Sequence, residues 1–179
     1  NLEGRRFWNE TQGYSEAAAA VLGQTDGVAW AIYDERIAGI ARQFVDFQEA
    51  EAQGAVLWAE SIAELAKKTK LPEDTLAATM AQVESGRDKF GRKFDPAQRL
   101  KPPFAATRVT GTLFHTQGGL DVTAEGQVKR ADGGLFPNLY AVGGAAVGVS
   151  GTGDAGYLSG NGLLSAVVLG RKAGLAGHS

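Results

Sequence analysis

The chain has 179 residues, with 18 Lys and Arg against 20 Asp and Glu spread without blocks, so it carries no basic footprint for nucleic acid. No apolar run approaches the roughly 20 residues of a membrane span. The lack of cysteine excludes disulfides, thiolate nucleophiles and cysteine-held metal within these residues, and two histidines far apart, His115 and His178, argue against a histidine metal site.

Up to about residue 107 the chain is rich in Ala, Glu, Gln and Lys at helical spacing. Residues 5–10 read as a strand whose alternation sets Arg6 and Phe7 on opposite faces. Residues 15–22 read as a short helix with Ser15 as N-cap, residues 28–33 as an alternating strand, and Asp34 as the cap of a helix through Arg42. Residues 61–70 put Ile62, Leu65 and Ala66 on one helical face and stop at Leu71-Pro72. Pro72 then opens a helix whose Leu76, Met80 and Val83 share one stripe.

Near residue 105 the composition turns to Gly and Val. Residues 104–109, 113–116, 120–123 and 127–130 read as short strands, Ala131-Asp132-Gly133-Gly134 as a turn, and 139–143 as a buried strand by its continuous apolar run. A terminal helix spans 163–175. The elements predict an α+β chain, with a helical lobe over 1–107 and a Gly-rich strand-plus-helix lobe over 108–179.

One motif is a decoy. Gly151-Thr152-Gly153-Asp154-Ala155-Gly156 matches G-x-G-x-x-G, but a dinucleotide loop must open a helix directly and be followed about 20 residues later by an acid for the ribose. No Asp or Glu follows Gly156, and the expected helix begins several residues late, so the match reads as a Gly-rich loop.

Three other glycine clusters are informative: Phe114-His115-Thr116-Gln117-Gly118-Gly119-Leu120, Leu139-Tyr140-Ala141-Val142-Gly143-Gly144, and Tyr157-Leu158-Ser159-Gly160-Asn161-Gly162-Leu163-Leu164. Such clusters let backbone approach a flat ligand, and the last aims a helix N-terminus at it. With Gly4-Arg5-Arg6-Phe7-Trp8-Asn9-Glu10 and Asp88-Lys89-Phe90-Gly91-Arg92 ahead of them, they resemble, in order, the capping domain and closing flavin-domain segment of the fumarate reductase/succinate dehydrogenase flavoprotein family. The resemblance covers nearly the whole chain. It implies a fragment of an α/β flavoprotein, with 1–107 as capping domain and 108–179 as the C-terminal part of the FAD-binding domain. It also implies an N-terminal half, outside this sequence, that carries the ADP-binding unit.

The cofactor so implied is FAD, held fully only with that half, against Gly118, Gly119, Gly143, Gly144, Gly160, Asn161, Gly162, Leu163 and Leu164. Gly144 stands where the family usually has Glu. On the residues alone, 160–164 is equally an ordinary capped helix with Asn161 as N-cap. His115 is expected to line the site; the plainer alternative is a partly buried histidine satisfied by backbone.

The resemblance breaks where fumarate reductases carry arginines. The proton-donating arginine is replaced by Tyr14, and the carboxylate-binding arginine falls at or next to Tyr157. Losing two guanidinium groups argues against succinate or fumarate, since arginine is suited to bidentate carboxylate recognition. The tyrosines are similar to those of the ketosteroid dehydrogenases of this superfamily. There one removes a proton, while the other and the backbone N–H four residues later polarise the ketone, a separation kept by Tyr157 and Asn161. Two tyrosines with no chemical role fit the same letters. Arg6, Asn9 and Glu10 read as a buried ion-pair or hydrogen-bond knot that anchors the capping lobe.

The expected function is thus dehydrogenation or reduction of a C–C bond beside a carbonyl, on an apolar ketone or enone, with Tyr14, Tyr157 and His115 at the chemistry. The alternative is a catalytically silent fragment acting as a binding or assembly module. A small-molecule substrate, the N-terminal half and a second copy of the chain are the expected partners, and the cytoplasm the expected compartment.

Overall fold

The computed structural model describes residues 1–86, 88–113 and 116–177. The chain is mixed α+β and forms two compact units, Asn1–Gly111 and Thr112–Ser179.

In the first unit, α1 (Tyr14–Leu22) begins one residue before the expected start, with Gly13 in place of Ser15 as N-cap. Strand β1 (Val28–Asp34) ends on a side chain that caps α2 (Glu35–Ala41), Asp34 accepting the Ile37 N–H at 3.2 Å. Two elements follow that the sequence does not announce. Helix α3 (Val45–Ala52) buries no residue and so has no apolar stripe, and β2 (Val56–Ala59) is four residues long.

Helix α4 (Ile62–Thr69) is capped by Ser61, which accepts the Glu64 N–H at 3.1 Å, while the Glu64 carboxylate reaches back to the Glu60 N–H at 2.8 Å. Pro72 caps α5 (Glu73–Glu84), whose Leu76 and Met80 point into the core.

The strand β3 (Phe104–Thr110) lies between β1 and β2, antiparallel to both, with Asp34 and Ala59 opposite Phe104. It belongs to the first unit although the composition has already changed, because its backbone groups satisfy the inner edges of both neighbours. Alternation along β3 builds two cores. Phe104 and Ala106 face Leu65, Ala66, Leu76 and Met80, whereas Ala105 faces Tyr33, Ala38 and Val56.

The second unit is thinner. Strands β4 (Gln127–Lys129) and β5 (Leu135–Tyr140) form a hairpin, and α6 (Asn161–Ala176) closes the chain. Residues 120–123 make only isolated bridges, Leu120 with Ala146 and Val122 with Val128. The run expected over 113–116 includes Phe114 and His115, which lie outside the described residues.

The buried strand expected over 139–143 is displaced and exposed. β5 ends at Tyr140, Leu139 is 45% exposed, and only Ala141 beyond it is buried, against Val128 and Ala146. A continuous apolar run reads the same whether or not its own unit supplies the layer that covers it. No helix among the described residues is long and apolar enough to cross a membrane.

Candidate functional site

The segment Gly4–Glu10 is not a strand. In an extended chain, residues four apart stand about 13 Å apart, yet Arg6 and Glu10 meet in a fork, Nε to Oε1 and Nη2 to Oε2, both at 2.6 Å. The coil is anchored at its start. Gly4 takes a φ of +73° with its Cα against α5, where an added Cβ would stand 3.1 Å from Leu76 N, and the Gly4 carbonyl accepts the Thr79 hydroxyl at 2.7 Å.

The Arg6 guanidinium also donates to Asp88, 82 residues away, which ties the first motif of the chain to Asp88-Lys89-Phe90-Gly91-Arg92. Asp88 Oδ2 accepts the N–H groups of Phe90 and Arg92, and Arg92 returns a bond to Glu10 at 3.1 Å. Phe94 lies under both guanidinium groups, 4.8 Å from Arg6 and 4.6 Å from Arg92. The Asp88 side chain is 2% exposed.

Burial pushes the Asp88 carboxyl up, but the bonds from Arg6, Arg92 N–H and Phe90 N–H outweigh it and hold it below the usual range. Glu10 follows the same logic, burial opposed by Arg6 and Arg92, with a net lowering. Arg6 is raised in turn, chiefly by Glu10. The expected knot therefore exists at Arg6 and Glu10. Asn9 stays local, bonding the Thr11 N–H at 3.0 Å and the Thr11 hydroxyl at 2.6 Å.

Tyr14 is the first residue of α1, 69% exposed and four residues beyond the clamped Glu10. Behind this region lies a cavity of about 770 Å³ walled by Trp30, Ile32, Leu76 and Met80, with Arg6 and Glu10 among its lining. The Trp30 Nε1–H is buried there without an acceptor among the described residues.

In the second unit the polar centre is Asn161, 3% exposed. It is the first residue of α6 and Gly160, at φ +81°, is the N-cap, so the expected role of Asn161 as cap is corrected. Its side chain instead donates to Gln117 Oε1 at 3.2 Å and to Ser150 Oγ, and Ser150 also accepts the Leu158 N–H at 3.0 Å. One amide thus holds the Gln117-Gly118-Gly119 segment against the start of α6.

The Asn161 backbone N–H donates to Leu158 O at 3.2 Å. Gly162 and Leu163 occupy the first turn, where a helix leaves N–H groups without intrahelical acceptors. Tyr157 precedes this turn, and His115 lies outside the described residues.

The glycines divide into two kinds. A Cβ on Gly118 would meet only Thr116 Oγ1 at 3.5 Å, and on Gly144, Gly160 or Gly162 nothing within 4 Å. A Cβ on Gly119 would collide with the Ala146 backbone, and Gly143, at φ +56°, packs on Ala166. The open glycines and the α6 N-terminus fit the flavin end of FAD, an uncharged edge that gains negative charge on reduction. The Gly151–Gly156 loop does not fit a pyrophosphate. Gly151 N–H donates to Gly156 O at 2.7 Å, so the loop closes on itself, and α6 begins only at Asn161. Gln117, Ser150 and Asp88 had no assigned role in the sequence; only the D-x-F-G-R pattern marked one of them.

Relatives carry the same plan. A family model described as FAD binding domain matches residues 1–163. The chain is 31% identical over 179 residues to "Fumarate reductase (cytochrome)" of Shewanella frigidimarina, covering 97% of this chain and 30% of that protein. It is 26% identical over 188 residues to "3-oxosteroid 1-dehydrogenase" of Mycobacterium tuberculosis, covering 84% of this chain and 33% of that protein. Among solved structures, the open conformation of a flavocytochrome c3 fumarate reductase matches at a TM-score of 0.73 and 27% identity, over 97% of this chain and 31% of that one. The chain spans about a third of the length of these relatives. The chain belongs to the FAD binding domain family, among the fumarate reductase and 3-oxosteroid dehydrogenase flavoproteins.

Proposed function

We propose that the chain is the capping and flavin-facing portion of an FAD-dependent oxidoreductase that dehydrogenates or reduces a C–C bond next to a carbonyl, on an apolar ketone or enone. When bound, FAD supplies hydride exchange at its N5. The observation that carries the substrate class is Tyr14, an exposed phenol at the first position of α1, where the fumarate reductases that the sequence resembles need an arginine.

A phenol cannot fork onto a carboxylate, but it can move a proton at the carbon beside a ketone. Tyr157 precedes the α6 turn and donates its hydroxyl to the ketone oxygen. The second donor to that oxygen is an N–H of the first turn of α6.

The test uses the full-length flavoprotein that contains this chain, with a 3-ketosteroid and an artificial electron acceptor in one arm and fumarate with reduced dye in the other. Turnover is expected with the ketone only, and Tyr14→Phe should lower kcat by about a hundredfold or more. Robust fumarate reduction undiminished by Tyr14→Phe would overturn the proposal.

A further inference from the structure

We propose that Gln117 is a positioning residue for the flavin, acting through Asn161 to hold the first turn of α6 in place. The assignment rests on reading that turn and the open glycines beside it as the wall for the flavin end of FAD, and it concerns what keeps the wall aligned.

Of the 16 residues of α6, Asn161 alone is buried, and it is polar. Further along, the helix packs through Ala166 on Gly143 and through Leu169 on Val128, Ala141 and Ala146. Gly162, Leu163 and Leu164, which complete its first turn, are exposed. That turn is therefore seated by one carboxamide where the middle of the helix is seated by apolar contact.

The Asn161 amide has two N–H groups and directs them to two different segments. Gln117 Oε1 accepts at 3.2 Å, and Ser150 Oγ accepts as well while also taking the Leu158 N–H at 3.0 Å. Gln117 is fitted to its place from the other side. Its backbone carbonyl accepts the Gly148 N–H at 2.8 Å, and its side chain lies across Gly148, where an added Cβ would overlap Gln117 Oε1. The backbone at Gly148 does not take the positive φ that favours glycine, so the room it leaves for this carboxamide is what glycine supplies there.

Without the Gln117 acceptor, one Asn161 N–H is buried and unpartnered, which costs more than the bond itself contributes. The amide then turns toward another acceptor, and the first turn shifts or unwinds with it. The Gly162 and Leu163 N–H groups, left without intrahelical acceptors, lose their common direction. Their positive field favours the anionic reduced flavin, so weakening it makes the flavin harder to reduce.

A network that only stabilises the second unit would change its unfolding and leave the flavin potential alone. The two-electron midpoint potential of FAD in the full-length flavoprotein, read by equilibration with a reference dye, separates the two roles, with far-UV circular dichroism as the check on folding. Gln117→Met keeps the length of the side chain and removes the acceptor. It should lower the equilibrium constant for flavin reduction about tenfold, a midpoint about 30 mV lower. Asn161→Ala should lower it at least as far, and Gln117→Met added to Asn161→Ala should change nothing more, since the acceptor acts through that amide. Gly148→Ala displaces the same oxygen with Gln117 in place, and it decides the question if Gln117→Met does not fold.

A folded Gln117→Met or Gly148→Ala protein with the parent potential would overturn the proposal, as would a full further shift on top of Asn161→Ala. Leu163→Glu, at a residue 80% exposed, probes the underlying reading alone. If FAD binds at an unchanged potential beside that charge, the turn does not face the flavin and the wall reading fails with the proposal. If Leu163→Glu lowers the potential and Gln117→Met does not, the wall stands and only the role of Gln117 falls.

Discussion

Gly119→Ala is the sharpest perturbation available in the second unit, because Gly118 and Gly119 look equivalent in sequence and differ in surroundings. At Gly119 a Cβ would overlap the Ala146 backbone and lie 2.6 Å from Val147 N, atoms that cannot rotate away as a side-chain tip does. Relief means parting the segment from residues 145–148, which it grips through Leu120 N–H to Ala145 O at 2.9 Å, Val147 N–H to Leu120 O at 3.0 Å and Gly148 N–H to Gln117 O at 2.8 Å. Overpacking of this kind costs about 3 kcal/mol at its upper end, and each hydrogen bond given up instead costs about 1 kcal/mol. The same change at Gly118 meets one ordinary contact, at 3.5 Å, and should stay within about 0.5 kcal/mol.

The two units can be followed separately. Trp8, Trp30 and Trp58 all lie in the first, so tryptophan fluorescence reports on that unit, while far-UV circular dichroism reports on both. In urea, with a slope of about 1 kcal/mol/M for so small a unit, Gly119→Ala should move the second unit's midpoint about 3 M lower and leave the fluorescence transition in place. Gly118→Ala should move neither, yet weaken flavin binding by the full-length protein. Equal damage from the two substitutions, or none from Gly119→Ala, would refute the division of the glycines.

Acid should undo the first unit in a defined window. Asp88 and Glu10 titrate below their ordinary values of 3.8 and 4.5, so their contribution is complete above the unfolded values and disappears as pH falls through the folded ones. Urea midpoints read by tryptophan fluorescence should hold above about pH 5 and fall below about pH 4, with a shallower fall in Asp88→Asn. Leu65→Ala, at a fully buried core position, should cost about 3 kcal/mol by the same assay. The isolated 179-residue chain should bind FAD weakly or not at all and self-associate through the exposed Leu163, Leu164 and Val167 of α6. Flavin fluorescence titration and light scattering test both parts, and Val167→Glu should shift the mass toward monomer.

The sequence by itself was enough for elements whose signals are local. The Leu65–Ala66 face of α4, the Asp34 cap and the Leu76–Met80 stripe appear where spacing puts them, since a cap or a helical face is decided within about one turn. The glycine motifs also pointed to the family that the match over 1–163 establishes. What needed the tertiary structure is whatever depends on a partner far along the chain. Gly4–Glu10 has a strand's letters, but the bond from Arg6 to Asp88, 82 residues later, curls it. β3 follows the composition change yet completes the first unit's sheet, because backbone groups pair with whichever edges are open. Asn161 has a cap's identity but is turned inward to Gln117 and Ser150. In each case a buried polar group had to find its partners, and local sequence carries no record of which distant residue supplies them.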